Sequence, residues 1–314
     1  MKNNYHLIWS ALFFFLLSTP AFSQYPYPDK DLCEELKKRT LVVELLDETD
    51  ETKTILNNAL KEEFGAWDIC PVVFKTSEEV SAILDARDTQ FALLTQDNAV
   101  QRNIRTRKLD EKGRLMHGPG LPSNEQDYVA FTFSYYSFEL LLPTGKKNPE
   151  NITTIGFANG ELSRIDYLYL VQQLNRLLSS SLSGSASSEY YDAEQGVAKI
   201  SASKLIFLKD FFKEKEVAEI PKFLEVEFEL LDMDEYQQVI LGRESGKSYA
   251  KIIWSNQANI YVWVVVNAED GEILGQQGFG GVKFGKTHDA NDIIKVKHLK
   301  YVTNVNAQKF NSKY

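Results

Sequence analysis

Apolar positions along the chain follow two periods, one suited to strands and one to helices. Residues 24–30 form a Pro/Tyr-rich lead-in. Asp31 to Lys38 then reads as a short helix with Leu32, Cys33 and Leu36 on one face. Leu41 to Leu46 suits a buried strand, and Thr52 to Phe64 carries Ile55, Leu56, Ala59, Leu60 and Phe64 at helical spacing. Val72 to Phe74, Thr76 to Ala86 and Phe91 to Thr95 continue as strand, helix and strand. Tyr128 to Leu142 reads as one long strand. Its aromatics switch from odd positions (Phe131, Phe133, Tyr135) to even ones (Tyr136, Phe138), which predicts a bulge near Tyr135 and Tyr136. The strongest helical stripe is Leu162 to Leu182, with Ile165, Leu168, Val171, Leu174, Leu178 and Leu182 in line. It runs into the Ser-rich segment Ser179–Ser188, the clearest linker in the chain.

The second half is expected to repeat the first. Leu205 to Leu208 parallels Leu41 to Leu46, and the two runs are followed by Asp210 and Asp47. Glu225 to Phe228 answers the second strand. Thr76 with Glu79, and Asp232 with Glu235, both have capping-box spacing, in which two orphan amides at a helix start are satisfied reciprocally. From each Glu, apolar residues recur at the same offsets: Val80, Ile83 and Leu84, then Tyr236, Val239 and Ile240. The strands Tyr249 to Trp254 and Ile260 to Val266 follow, and Asp270-Gly271 turns the chain into Glu272 to Leu274.

The fold expectation is therefore α/β, with α+β as the alternative. Two related strand-helix-strand-helix-strand modules with mixed sheets stand in tandem, joined by a long helix. The first module spans 24–182 and includes the helix 162–182, the linker 183–192, and the second module 193–314. Between its third strand and the long strand, the first copy inserts a loop at 97–127. The second copy needs only Ser255 to Asn259 there. Unstructured loops of that length are uncommon unless they serve a function or are disordered.

The amino terminus changes where this fold is expected to work. Lys2, the apolar run Leu7 to Leu17, and small residues at Ala21 and Ser23 have the layout of a secretory signal over residues 1–23, cut between Ser23 and Gln24. The apolar run is shorter than the roughly 20 residues needed to span a bilayer. Cys is absent just after the cut, so a lipoprotein is not indicated. The expectation is an exported chain, periplasmic or extracellular, without an integral membrane segment once mature. An oxidising compartment would allow Cys33 and Cys70, each just before a predicted strand, to form a disulfide. The absence of CxxC argues against a redox motif or zinc knuckle.

Charge narrows the partners. The chain has 35 Lys and Arg against 44 Asp and Glu, a formal net charge of −9. An acidic chain does not generally seek nucleic acid. From Lys283 to Tyr314, however, seven Lys stand against Asp289 and Asp292 alone.

Several motifs bear on chemistry. Gly280 to Thr287, GGVKFGKT, fits the P-loop pattern. A P-loop joins a parallel strand to a helix, whereas the strand preceding this one comes from an Asp-Gly hairpin and should be antiparallel. ATP is also scarce outside the cytoplasm. The preferred reading is a Gly-rich turn before a closing helix with Ile293, Val296, Leu299 and Val302 inward, and no nucleotide binding is expected. The inserted loop carries Arg102, Arg105 and Arg107, then His117 within HGPG. Clustered Arg grips carboxylate or phosphate, so these four residues form the candidate anion- or partner-binding set. Asp47, Glu48, Asp50 and Glu51 lack the DxDxDG order of a calcium loop. Asn151-Ile152-Thr153 matches the glycosylation acceptor pattern. No metal or other cofactor is called for.

No GxSxG, HExxH or Cys–His arrangement is present. The leading functional expectation is a non-catalytic binding or scaffold protein of the cell envelope, whose partner is another envelope protein with an acidic face. The alternative is a secreted hydrolase using Asp47 and Asp210 at strand ends, which requires the two carboxylates to converge within about 10 Å.

Overall fold

The computed structural model describes residues 26–97, 102–107, 128–133, 135–158, 162–185, 190–255, 260–278 and 294–311. It is a mixed α/β structure with one mixed ten-stranded sheet and a separate two-stranded ribbon.

Helix α1 (Lys30–Leu36) leads into β1 (Thr40–Glu44), α2 (Glu51–Glu63), β2 (Val72–Lys75), α3 (Ser77–Ala86) and β3 (Phe91–Asp97). β1 pairs in parallel with β2 on one side and β3 on the other. β6 (Tyr136–Leu142) and β7 (Glu150–Phe157) then extend the sheet in antiparallel fashion. Helix α5 (Ala193–Ala202) follows the long helix α4 (Arg164–Ser183) and leads into β8 (Lys204–Leu208). Next come 3-10 turns, β9 (Phe228–Leu231), α6 (Met233–Leu241) and β10 (Lys247–Ser255). β8 is parallel to β9 and to β10. β11 (Ile260–Asn267) and β12 (Ile273–Gly278) complete an antiparallel meander. A 3-10 turn at Val296–Tyr301 and α7 (Val305–Asn311) close the described chain.

Both expected capping boxes form, at Thr76 with Glu79 and at Asp232 with Glu235. The Asp270-Gly271 turn also forms. Gly271 adopts φ +76° there, a value glycine tolerates without steric cost, and Asn267 and Glu272 are bonded across it.

The expected long strand Tyr128 to Leu142 is two strands. β5 (Tyr128–Phe133) leaves the main sheet and pairs with β4 (Arg102–Arg107). β6 begins afresh at Tyr136, where its even positions Tyr136, Phe138 and Leu140 enter the core. The change of aromatic phase therefore marks a break between sheets, not a bulge within one. The insertion expected as a loop at 97–127 thus contains strand β4. β7 and α5 lie where no element was expected. The strand expected at Glu225 to Phe228 is β9, three residues later, set by its pairing from Leu205↔Phe228 to Leu208↔Leu231. The closing helix is instead a 3-10 turn, and it does bury Val296, Leu299 and Val302.

One apolar core runs under both halves on a single face of the sheet. It joins α1, α2 and α4 of the first half to Tyr236, Val239 and Ile240 of α6. On the opposite face, α3 packs Val80 over Val42 and Leu93. There α5, the 3-10 turns and the carboxyl-terminal segment cover Leu205, Phe207, Ala250 and Ile252. The outer edge of β12 is closed by side chains. Gln308 accepts from the Gln276 amide at 2.9 Å, and the Tyr191 hydroxyl donates to the Leu274 carbonyl at 3.3 Å. Blocking the exposed backbone groups of an edge strand prevents further strand addition.

Candidate functional site

The two halves meet on β10. Its outer side pairs with β11 along its length. Its inner side is shared: Lys247 to Tyr249 pair with β8 in parallel, and Ile253 and Trp254 pair with Phe157 and Gly156 of β7 in antiparallel. β7 and β8 therefore abut carboxyl end to carboxyl end along one strand, and Lys251 stands at the gap. Strand carboxyl ends are where open α/β sheets commonly place ligands, so the residues at this junction define the site.

Lys251 lies on the core face between Tyr249 and Ile253. Its ammonium donates to Asp166 Oδ1 at the start of α4. The Lys251 and Asp166 side chains are 7% and 2% exposed. Asp166 Oδ2 accepts from the Ser163 amide at 2.8 Å and the Ser163 hydroxyl at 2.6 Å, so one carboxylate caps the helix and neutralises the lysine. The ammonium also lies 5.5 Å from the Phe157 ring centroid and 5.4 Å from that of Tyr169, within cation–π range.

Three tyrosines surround this pair. Burial, with the Asp166 charge adding to it, raises the hydroxyl pKa of Tyr249. Burial is also the largest cause for Tyr167 and Tyr236, reinforced by Tyr136 and Asp166 in the first case and by Tyr249 and Asp166 in the second. All three are neutral phenols. Tyr236 donates to the Ala250 carbonyl at 2.5 Å, whereas the Tyr167 and Tyr249 hydroxyls have no hydrogen-bond partner among the described residues. With its charge matched by Asp166, Lys251 is an interior cation that ties β10 to the start of α4. A second polar contact crosses the halves farther along α4: Gln173 donates to the Gly271 carbonyl at 2.8 Å and accepts from Tyr190 at 3.1 Å.

Sequence reading passed over Asp166 and Lys251. The available signal was Lys251 itself, a charge in the middle of the otherwise uncharged run SYAKIIWS.

The structure disperses most residues singled out from sequence. Asp47 and Asp210 are both exposed, beyond the ends of β1 and β8. β1 lies three strand spacings from β7, the strand that β8 meets end-on, or about 14 Å. The neighbours of Asp47 serve local structure: Asp50 caps α2 by accepting from the Lys53 amide, and Glu48 accepts from Asn57 at 3.1 Å. Among the described residues, no group of three His, Cys, Asp or Glu is placed to hold a metal ion.

Cys33 and Cys70 are free thiols. Burial pushes both pKa values up, opposed by Ser181 beside Cys33 and by Trp67 and the Leu41 backbone beside Cys70. Asn151 is exposed at the start of β7 and bonds Thr154 at 3.1 Å. The acceptor-motif hydroxyl of Thr153 is fully buried and donates to the Pro26 carbonyl. Arg102, Arg105 and Arg107 share strand β4, paired with β5. His117 and GGVKFGKT lie outside the described residues. β12, the strand before GGVKFGKT, is antiparallel to β11. Among the described residues, no helix is long and apolar enough to cross a membrane.

No protein-family model, curated protein or solved structure matches this chain.

Proposed function

We propose that this chain is an exported, non-catalytic binding or scaffold protein of the cell envelope, built from two copies of one α/β module. Strand pairing supports the duplication. The order β2-β1-β3-β6-β7 has the same sequence of parallel and antiparallel neighbours as β9-β8-β10-β11-β12. The packing supports it as well. The helix between the second and third strands, α3 or α6, lies on the opposite face from the other helical segments of its own half. The face it takes also reverses from the first half to the second. Two copies related by a half-turn about an axis lying in the sheet and perpendicular to the strands, combined with a shift of three strands along it, have this arrangement.

The observation that carries the functional reading is the unequal insertion. Where the second half crosses from β10 to β11 through 256–259, the first carries the β4–β5 ribbon with Arg102, Arg105 and Arg107. An elaboration of one copy that adds cationic positions at the carboxyl end of β3 suits docking to an acidic face of another envelope protein. The interior pair at Asp166 and Lys251, both side chains almost wholly buried, fits a structural role better than catalysis.

The test is a graft. Replacing 98–134 by the residues of 256–259 should leave the sheet folded by circular dichroism. It should abolish cross-linking to the acidic partner in intact envelopes, as should charge reversal at Arg102, Arg105 and Arg107. A folded graft that keeps its partner overturns the proposal, and recovery of the chain from the cytoplasm overturns its location.

A further inference from the structure

β6 and β7 change register between Leu140 and Leu141, and β11 and β12 do so between Val265 and Val266. Aligned on that shift, the pair Ser137↔Gly156 falls on Val262↔Gly278, so Gly278 of β12 takes the position of Gly156 in β7. Thr40 pairs with Phe91 at the start of β3, and Lys204 with Lys247 at the start of β10. Counted from these pairs, Gln96 takes the position of Ile252. β7 lies against β10 just beyond the end of β8, with Gly156 opposite Trp254. A Cβ at Gly156 would collide with the Trp254 backbone, so this approach needs a glycine.

Among the described residues, no strand enters the matching berth on β3, just beyond the end of β1. A side chain fills it. The Glu44 carboxylate accepts from the Gln96 amide at 2.8 Å, and the Gln96 side chain donates to the Glu44 carbonyl at 2.6 Å. The edge that matches the β10-facing side of β7 is the outer side of β12. There Gln308 of α7 accepts from the Gln276 amide at 2.9 Å, on the same side of the strand as the Gly278 amide.

We infer that Glu44 and Gln308 are end caps, and that the two edges they cover fit a second copy of this chain, with β12 of one copy entering the β3 berth of the next. The inference rests on the duplication proposed above. A half-turn combined with a shift does not close on itself, so a repeated head-to-tail contact of this kind grows into an open array. The contact of β7 with β10 uses backbone groups and a glycine. Both recur at the ends of the sheet, in the Gln96 and Gln276 amides and in Gly278. An uncovered strand edge is a template for another strand. Each cap sets a side-chain oxygen on an amide that a strand carbonyl would otherwise take.

The experiment uses the full chain, with the fold of each variant checked by circular dichroism. Glu44→Ala opens only the front, and Gln308→Ala only the rear. Wild type and both single variants should be monomers by size exclusion with light scattering. An equimolar mixture of the two variants should double in mass to a one-to-one dimer, because each partner brings one open and one capped end. The double variant should form open-ended oligomers. In the mixture alone, hydrogen exchange should slow at the Gln96 amide of the first variant and the Gln276 amide of the second. Where an alanine variant loses its fold, Glu44→Val or Gln308→Leu removes the same oxygen and keeps strand or helix propensity. An oligomeric wild type, or a folded mixture that stays monomeric, overturns the caps and leaves the duplication standing on its register. Self-association of Gln308→Ala alone brings two rear edges together and overturns the head-to-tail pairing.

Discussion

Asp166 and Lys251 bind each other across the two halves of the sheet, 85 positions apart in sequence. The carboxylate is shared between the lysine and the start of α4, so this one contact ties the helix entry to β10 beside the point where β7 and β8 end.

Breaking one side of this pair should cost far more than replacing both sides. Lys251→Met leaves a buried carboxylate uncompensated, and Asp166→Asn leaves a buried ammonium. Each is expected to lose about 3–5 kcal/mol. The double variant removes both charges and, because Asn still accepts from Ser163, keeps the cap. It should recover a large part of the loss. A double-mutant cycle by urea denaturation measures this, and additive losses would show that the pair is not coupled.

Gly156 tests the junction through shape alone. A Cβ built there would lie 2.4 Å from the Trp254 carbonyl oxygen, which is backbone and cannot rotate away. Gly156→Ala should force β7 and β10 apart and destabilise by about 1–3 kcal/mol. Gly65→Ala has open space around its Cβ and serves as the control. Hydrogen exchange should show the loss concentrated on the amides of Gly156, Phe157, Ile253 and Trp254.

Local features of this fold were legible in the sequence because their causes are local. Thr76 with Glu79 and Asp232 with Glu235 specify helix starts within one turn, and Asp270-Gly271 specifies its own hairpin. Pairings set at long range were harder to read. Tyr128 to Leu142 keeps strand-like alternation through a change of partner, so the departure of β5 to β4 left only a phase shift. β7 was concealed by Asn151, Thr153 and Thr154. Thr153 is polar yet wholly buried, because Pro26 satisfies its hydroxyl from far upstream. The junction was hidden for a similar reason: Asp166 resembles an ordinary helix-start acid, and nothing within its own segment indicates that β10 supplies a lysine. The mixed α/β class could be anticipated, but the sharing of β10 by β7 and β8 could not.

That sharing predicts that the halves are not independent folding units, despite their matched topology. A fragment ending at Ser185 leaves α4 without Tyr236, Val239 and Ile240 against the common core. A fragment beginning at Tyr190 leaves Lys251 without Asp166. Each fragment alone is expected to show little cooperative thermal unfolding, while the mixed pair should regain it by calorimetry. A sharp transition in either isolated fragment would contradict the prediction.

Glu63 supplies a pH-dependent test at the contact of α2 with α4 and α6. Burial raises its pKa above the ordinary 4.5, and the Coulombic pull of Arg243 and then Arg164 opposes that rise without cancelling it. Its carboxylate lies 3.6 Å from Arg243 and 3.8 Å from Arg164. Between 4.5 and the raised value, the folded state therefore binds more protons than the unfolded state. Stability from this group is fully present below pH 4.5 and is lost as pH rises through the folded pKa. Glu63→Gln removes the titration. Unfolding free energies of the two proteins, compared across this window, should show the wild type losing ground to the variant as pH rises, with the difference levelling off once Glu63 is ionised. If the wild type instead gains on the variant, the two arginines outweigh burial, and Glu63 is a net stabilising anion that ties the first half to Arg243 of the second.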